Sequence, residues 1–138
     1  MRVVLDTNVV VSALVWGGSP FRLLQLAAAG EIELYSSPAL LTELAEVLAR
    51  QPLRSRLHEK RSSVEQALAL YGELVIEVSP RAVPRVVPRD ADDDQVIAAA
   101  LAARADLIVT GDADLLSLVR FNTISIVTPA QAVQRIGG

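Results

Sequence analysis

The stretch Arg2-Val3-Val4-Leu5-Asp6-Thr7-Asn8 decides how the rest of the chain is read. Three consecutive apolar residues run directly into a carboxylate, then a threonine and an asparagine. A short, unbroken apolar run suits a strand covered on both faces, as central strands of a parallel sheet are. Ligands of open α/β sheets collect outside the carboxyl ends of the strands, which is where Asp6 falls.

Working outward, the pattern alternates between strand and helix. Val9 to Trp16 is apolar enough for a helix or buried turn, and Gly17-Gly18-Ser19-Pro20 interrupts it. Phe21 to Ala29 reads as a helix with Pro20 near its first turn and Gly30 as its stop. Ile32 to Tyr35 is a short strand. Ser37 and Pro38 then open a helix as N-cap and first helical residue, running to about Arg50 before Pro52. Residues 53–72 read as a further helical region and Leu74 to Val78 as the third strand. Ser79 to Arg89, with three prolines, reads as a connector, and Asp90 to Asp94 open an alanine-rich helix ending near Ala105. Leu107-Ile108-Val109, a short helix from Asp112 to Val119, a strand from Thr123 to Val127, and a helix from Pro129 to Gly137 complete the chain. Strands separated by helices along the whole length predict a three-layer α/β/α arrangement around a parallel sheet, with right-handed crossovers. At 138 residues the chain has the length of one domain, spanning 1–138.

Composition narrows the functional classes. Apolar residues make up 51% and charged residues 21%, as in an ordinary globular chain. No apolar run approaches the roughly 18 residues needed to cross a bilayer, and the first residues lack the regions of a signal peptide. Cysteine is absent, which excludes thiolate chemistry and agrees with a cytoplasmic location. The net charge of −3 is not that of a basic nucleic-acid-binding domain, but the positive charge is concentrated. Arg50, Arg54, Arg56, Lys60 and Arg61 lie within twelve positions, and Arg81, Arg85 and Arg89 form a second group. Arginine suits bidentate phosphate contacts, so Arg50, Arg54 and Arg56 are candidate RNA-binding residues; a solvated surface explains them equally well.

Four acids stand out by position. Asp6 ends the first strand, and Asp112 follows the fourth through Thr110 and Gly111, so both fall at one sheet edge. Glu43 borders the apolar face of its helix formed by Leu40, Leu41, Leu44, Val47 and Leu48, whereas Glu46 points away. Asp94 starts the helix that feeds the fourth strand, which by sequence alone assigns it to the opposite end of that unit unless the long connector crosses over. One or two acids in a first helical turn need only the helix dipole, worth about 0.3–1 kcal/mol each. Asp92, Asp93 and Asp94 beside Asp90 exceed that, since like charges 4 Å apart repel by roughly 4 kcal/mol at an effective dielectric of 20. Such a cluster calls for raised pKa values or a counter-cation, for which a hard Mg²⁺ or Mn²⁺ ion is the natural candidate.

The chain resembles the PIN domain family, and in particular its small prokaryotic VapC-like members, described as toxin components of toxin–antitoxin pairs. The matching pieces occur in the family's order: Val4-Leu5-Asp6-Thr7-Asn8, Glu43, Asp92-Asp93-Asp94 with Val96-Ile97-Ala98-Ala99-Ala100, Ile108 to Leu116, and Ile126-Val127-Thr128-Pro129. The resemblance implies a five-stranded parallel sheet of order 3-2-1-4-5 and a crossover that brings Asp94 beside Asp6. It implies Asp6, Glu43, Asp94 and Asp112 as catalytic, metal-binding acids, with Asn8 and Thr110 as supporting polar residues. Asp93 and Asp114 either support that set or replace one of its members.

The implied activity is that of a metal-dependent endoribonuclease: one or two Mg²⁺ or Mn²⁺ ions on carboxylates, in-line attack by activated water, and 5′-phosphate and 3′-hydroxyl ends. A homodimer and a cognate antitoxin covering the acidic groove are implied as partners. The alternative is a non-catalytic or weakly catalytic PIN-fold module that binds RNA or a partner. The sole histidine, His58, lies among the arginines and away from the acids, which argues against metal-free chemistry through the RNA 2′-hydroxyl. A haloacid-dehalogenase-type phosphotransferase needs an aspartate where Asn8 stands, and a response-receiver domain needs a late lysine that this chain lacks. Trp16, beside Gly17-Gly18, reads as a core or dimer residue ahead of a base-stacking one, and Phe21, Tyr35 and Phe121 as packing residues.

Overall fold

The computed structural model describes residues 1–81 and 91–137, with 91 and 92 described by backbone alone. Asp90, Arg85, Arg89, most of the connector and the Asp92 side chain lie outside the described residues. In chain order the elements are β1 (Arg2–Leu5), α1 (Thr7–Val15), α2 (Gly18–Ala28), β2 (Glu33–Ser36), α3 (Pro38–Leu48), α4 (Leu53–Glu59) and α5 (Val64–Leu74). They continue with β3 (Val75–Glu77), α6 (Ala91–Ala103), β4 (Leu107–Val109), α7 (Ala113–Leu118), β5 (Arg120–Phe121), β6 (Ile124–Val127) and α8 (Pro129–Ile136).

The strands form one sheet of order β3-β2-β1-β4-β6-β5. All pairings are parallel except that of β5 with β6. The expected five-stranded parallel order holds, extended by β5, a two-residue edge strand absent from the sequence reading. Arg120 and Phe121 double back through Asn122, whose φ of 54° makes a left-handed turn, and pair with the start of β6. The helical region 53–72 divides in two: Arg61 takes a left-handed φ of 58°, and the Ser63 side chain accepts from the Gln66 N–H to open α5.

β1 shows why the sheet is covered on both faces. Val3 and Leu5 enter one core with Leu34, Leu107 and Val109, beneath α1, α2, α3, α5 and α8. Val4 enters the other with Tyr35, Ile108 and Ile126, beneath α6. This is the period-two alternation of a strand, with apolar residues required on both sides. Ala99, Ala100 and Ala103 let α6 lie close to its face of the sheet. No single helix among the described residues is long and apolar enough to cross a membrane.

Candidate functional site at the carboxyl edge of the sheet

The strand register assembles the edge where the candidate acids fall. Leu5 stands beside Val109, and Val109 beside Val127. The ladder continues one step further: the Asp6 N–H donates to Val109 O at 2.9 Å, and the Thr110 N–H to Val127 O at 2.9 Å. Asp6 and Thr110 are therefore neighbours across strands, and the Thr110 hydroxyl donates to Asp6 Oδ2 at 2.7 Å. The Thr110 hydroxyl oxygen in turn accepts from the Asp112 N–H at 3.0 Å. Thr110, completely buried, thus ties the acid of β1 to the loop that carries Asp112.

Asp6 departs from the usual behaviour of its position. It is the N-cap residue of α1, and its carbonyl accepts from the Val9 and Val10 N–H groups. An N-cap aspartate ordinarily turns its carboxylate onto the N–H groups of that first turn. Here the side chain makes no such bond and is directed to Thr110 instead, although it is only 6% exposed. Asp112 behaves conventionally: half-buried, it caps α7 by accepting from the Asp114 N–H at 2.7 Å, and Asp114 is exposed.

Helix α6 reaches this edge from above. Its last turn meets the opposite, amino edge, where Arg2 Nη1 donates to Ala103 O at 3.0 Å and the Asp106 N–H donates to Arg2 O at 2.7 Å. Thirteen helical residues span about 20 Å, more than the length of the four- and three-residue strands β1 and β4 below, so the first turn of α6 overhangs the carboxyl edge. The assignment of Asp94 to the opposite end of its unit is therefore corrected. In a right-handed crossover between parallel strands the helix begins above the carboxyl edge it leaves. Asp93 and Asp94 are 3% and 1% exposed, and extending strand alternation by one residue places Asp6 and Thr110 on the face of Val4 and Ile108, which α6 covers.

Glu43, half-buried on α3, enters from the side. It lines a cavity of about 390 Å³ together with Asn8, Thr42, Glu46, Arg50 and Gln95. The structure thus brings Glu43, Asn8 and Arg50 together beside the residue that follows Asp94. It does not bring Arg54 there: Arg54 lines a separate cavity with Ser55, His58 and Glu59. Arg56 is exposed on the same helix as Arg54.

A model of the PIN domain family matches residues 2–114, which includes every candidate acid at this edge. The chain belongs to the PIN domain family. The uncharacterized protein MJ1680 of Methanocaldococcus jannaschii is 32% identical over 136 residues, with 94% of this chain and 86% of the relative covered. Among solved structures, a chain of VapBC2 from Rickettsia felis, crystallised bound to a DNA fragment from their promoter, aligns with a TM-score of 0.64. It is 16% identical over 91% of this chain and 97% of that one, a likeness of fold.

In this PIN domain the donor chemistry suits a hard divalent cation, since Asp6, Asp93 and Asp94 offer carboxylate oxygens in a largely buried setting. Thr7 Oγ1 is also buried, with no hydrogen-bond partner among the described residues, directly after Asp6 in the chain. Among the described residues, however, no three acids or histidines are grouped closely enough to cage an ion. A Mg²⁺ ion that keeps several waters needs only one or two carboxylates, so the donors fit such an ion without forming a cage. Two features of this edge were beyond the sequence reading. Gln95 as a cavity-lining residue carried no signal, and the near-complete burial of Asp93 was hidden because a helix-dipole role explained it equally well.

Proposed function

We propose that this PIN domain is a Mg²⁺- or Mn²⁺-dependent endoribonuclease of the cytoplasm, acting as the toxin of a toxin–antitoxin pair. The observation that carries the reading is Asp6, a buried carboxylate at the carboxyl edge of the sheet, turned away from capping its own helix and hydrogen-bonded by Thr110. A carboxylate at a ligand-collecting edge that is turned away from its own helix is placed to serve a bound charge. The assigned ligands are Asp6, Glu43, Asp94 and Asp112, with Asn8, Thr110, Asp93 and Asp114 in support. When bound, the ion supplies Lewis acidity and an activated water for phosphodiester hydrolysis. The chain's own contribution is positional: Thr110 orients Asp6, the α6 first turn delivers Asp94 over it, and Glu43 with Asn8 borders the cavity through which a phosphate approaches. Arg50 at the cavity rim, with Arg54 and Arg56 beyond it, would neutralise RNA phosphates.

The second reading is a PIN-fold RNA- or partner-binding module with little or no catalysis, favoured by the absence, among the described residues, of a group of three acids or histidines that could hold an ion. A cleavage assay separates the two. Purified protein with Mn²⁺ should cut single-stranded RNA to 5′-phosphate ends and should stop with EDTA. Asp6→Asn and Asp94→Asn should lose at least 100-fold in rate, an order-of-magnitude expectation for removing charge from a site that works electrostatically. Full activity in a clean Asp6→Asn preparation would falsify the enzyme assignment. A homodimer and a cognate antitoxin remain part of the proposal, tested by co-purification from the native host.

A further inference from the structure

The α1–α2 corner and helix α4 present a feature that the acidic edge does not use. Gly17 and Gly18, with φ of 94° and 70°, occupy left-handed backbone and turn the chain so that α1 and α2 meet at 92°. The corner leaves Trp16 outside the core, 59% exposed, which corrects the core reading of this residue. Phe21, one turn into α2, is exposed as well. The guanidinium of Arg56 lies over the Trp16 ring at 4.5 Å from its centroid, a cation–π contact. Arg56 also lies 3.7 Å from Glu59, an exposed pair that constrains it little.

Charge singles out the same place. Residues 50–61 hold Arg50, Arg54, Arg56, Lys60 and Arg61 against Glu59, a net of +4, so the remaining chain carries −7 of the total −3. All five cations are exposed. A two-fold pairing of this face would set two such +4 segments against each other, whereas a polyanion is complementary to it. Arg50 lines the cavity beside Glu43, and Arg56 follows six residues later, at most about 20 Å away, a span of a few nucleotides. An exposed indole beside a row of arginines is what a single strand requires: π-faces for the bases and cations for the phosphates.

We infer that Trp16 and Arg56 form a base-stacking subsite for single-stranded RNA, remote from the acidic edge and joined to it by Arg54 and Arg50. The inference deepens the ribonuclease reading, but its test does not depend on cleavage. Trp16 is the sole tryptophan, so intrinsic fluorescence reports this position alone. Wild-type protein in EDTA is titrated with a single-stranded RNA of about twelve nucleotides, a blunt RNA duplex and inorganic polyphosphate. The single strand is expected to quench the emission strongly, and polyphosphate to bind without comparable quenching. Trp16→Ala should weaken single-strand binding roughly tenfold while Trp16→Phe retains most of it, and Arg56→Ala should lower the salt dependence by about one unit of slope. Single-strand binding with unchanged emission, or wild-type affinity in Trp16→Ala, overturns the subsite. So does a Trp16→Ala protein that passes from dimer to monomer with its RNA affinity intact, which would make the face an interface between copies. A protein that binds and quenches but never cleaves leaves the subsite standing and removes only the enzyme reading.

Discussion

Thr110 Oγ1 donates to the Asp6 carboxylate and accepts from the Asp112 backbone, so a single hydroxyl couples β1 to the loop after β4. Thr110→Val keeps the shape and removes both bonds, and a hydrogen bond to a charged group is worth about 1.5–3 kcal/mol. Urea unfolding should show a loss of about 2 kcal/mol for Thr110→Val and much less for Thr110→Ser. Equal losses in the two variants would mean that packing and not the hydroxyl matters. Tyr71 poses the reverse case. Its hydroxyl is buried on α5 with no hydrogen-bond partner among the described residues, and burial pushes its pKa upward. A folded-state pKa above the unfolded value means that stability is fully present below about pH 10 and declines as pH rises past it, because only the unfolded chain can then ionise. Tyr71→Phe should match or exceed the wild type at pH 7, by up to about 1–2 kcal/mol, and should lack the tyrosine's share of the alkaline decline. A Tyr71→Phe protein that is clearly less stable at pH 7 would show that the hydroxyl has a partner.

At the level of elements, what was legible in the sequence is what local chemistry determines. The apolar run of β1 ending at Asp6, the Ser37-Pro38 entry to α3 and the Thr128-Pro129 entry to α8 each announce themselves through side chains that act within a few residues. Ser37 does accept from the Leu40 N–H, and Thr128 forms a reciprocal capping box with Gln131. The border position of Glu43 followed from helical periodicity and is realised as a half-buried side chain on the cavity wall. Other features depend on distant parts of the chain. The start of α6 takes its position from the sheet below and from the Arg2 contacts at its far end, neither of which its own residues encode. The left-handed turn at Arg61 and the short β5 carry no glycine or proline to mark them. Trp16 and Phe21 are apolar, and their exposure results from the corner at Gly17-Gly18, which one-dimensional patterning reads as a simple break.

Across the whole molecule, buried acids and exposed cations are segregated. Asp6 at the end of β1 and Asp93 and Asp94 in the first turn of α6 are buried, while the cations of residues 50–61 face solvent. Carboxylate oxygens such as these are the ligands that a hard divalent ion takes. A divalent ion at the proposed site binds the native state and not the unfolded chain, so stability rises with its concentration. At 100 times the dissociation constant the gain is about 2.7 kcal/mol, which for a domain of this size corresponds to a shift of several degrees in Tm. Mn²⁺ should therefore raise the Tm of the wild type by about 5–10 °C in a concentration-dependent way that EDTA reverses. Asp6→Asn and Asp94→Asn should abolish the shift, whereas Asp106→Asn, at the amino edge, should retain it. Exposed acids that merely attract counter-ions would give a small shift, removed by monovalent salt and indifferent to Asp6. A Tm insensitive to Mn²⁺ in the wild type would mean that the protein itself satisfies these acids and that they hold no ion.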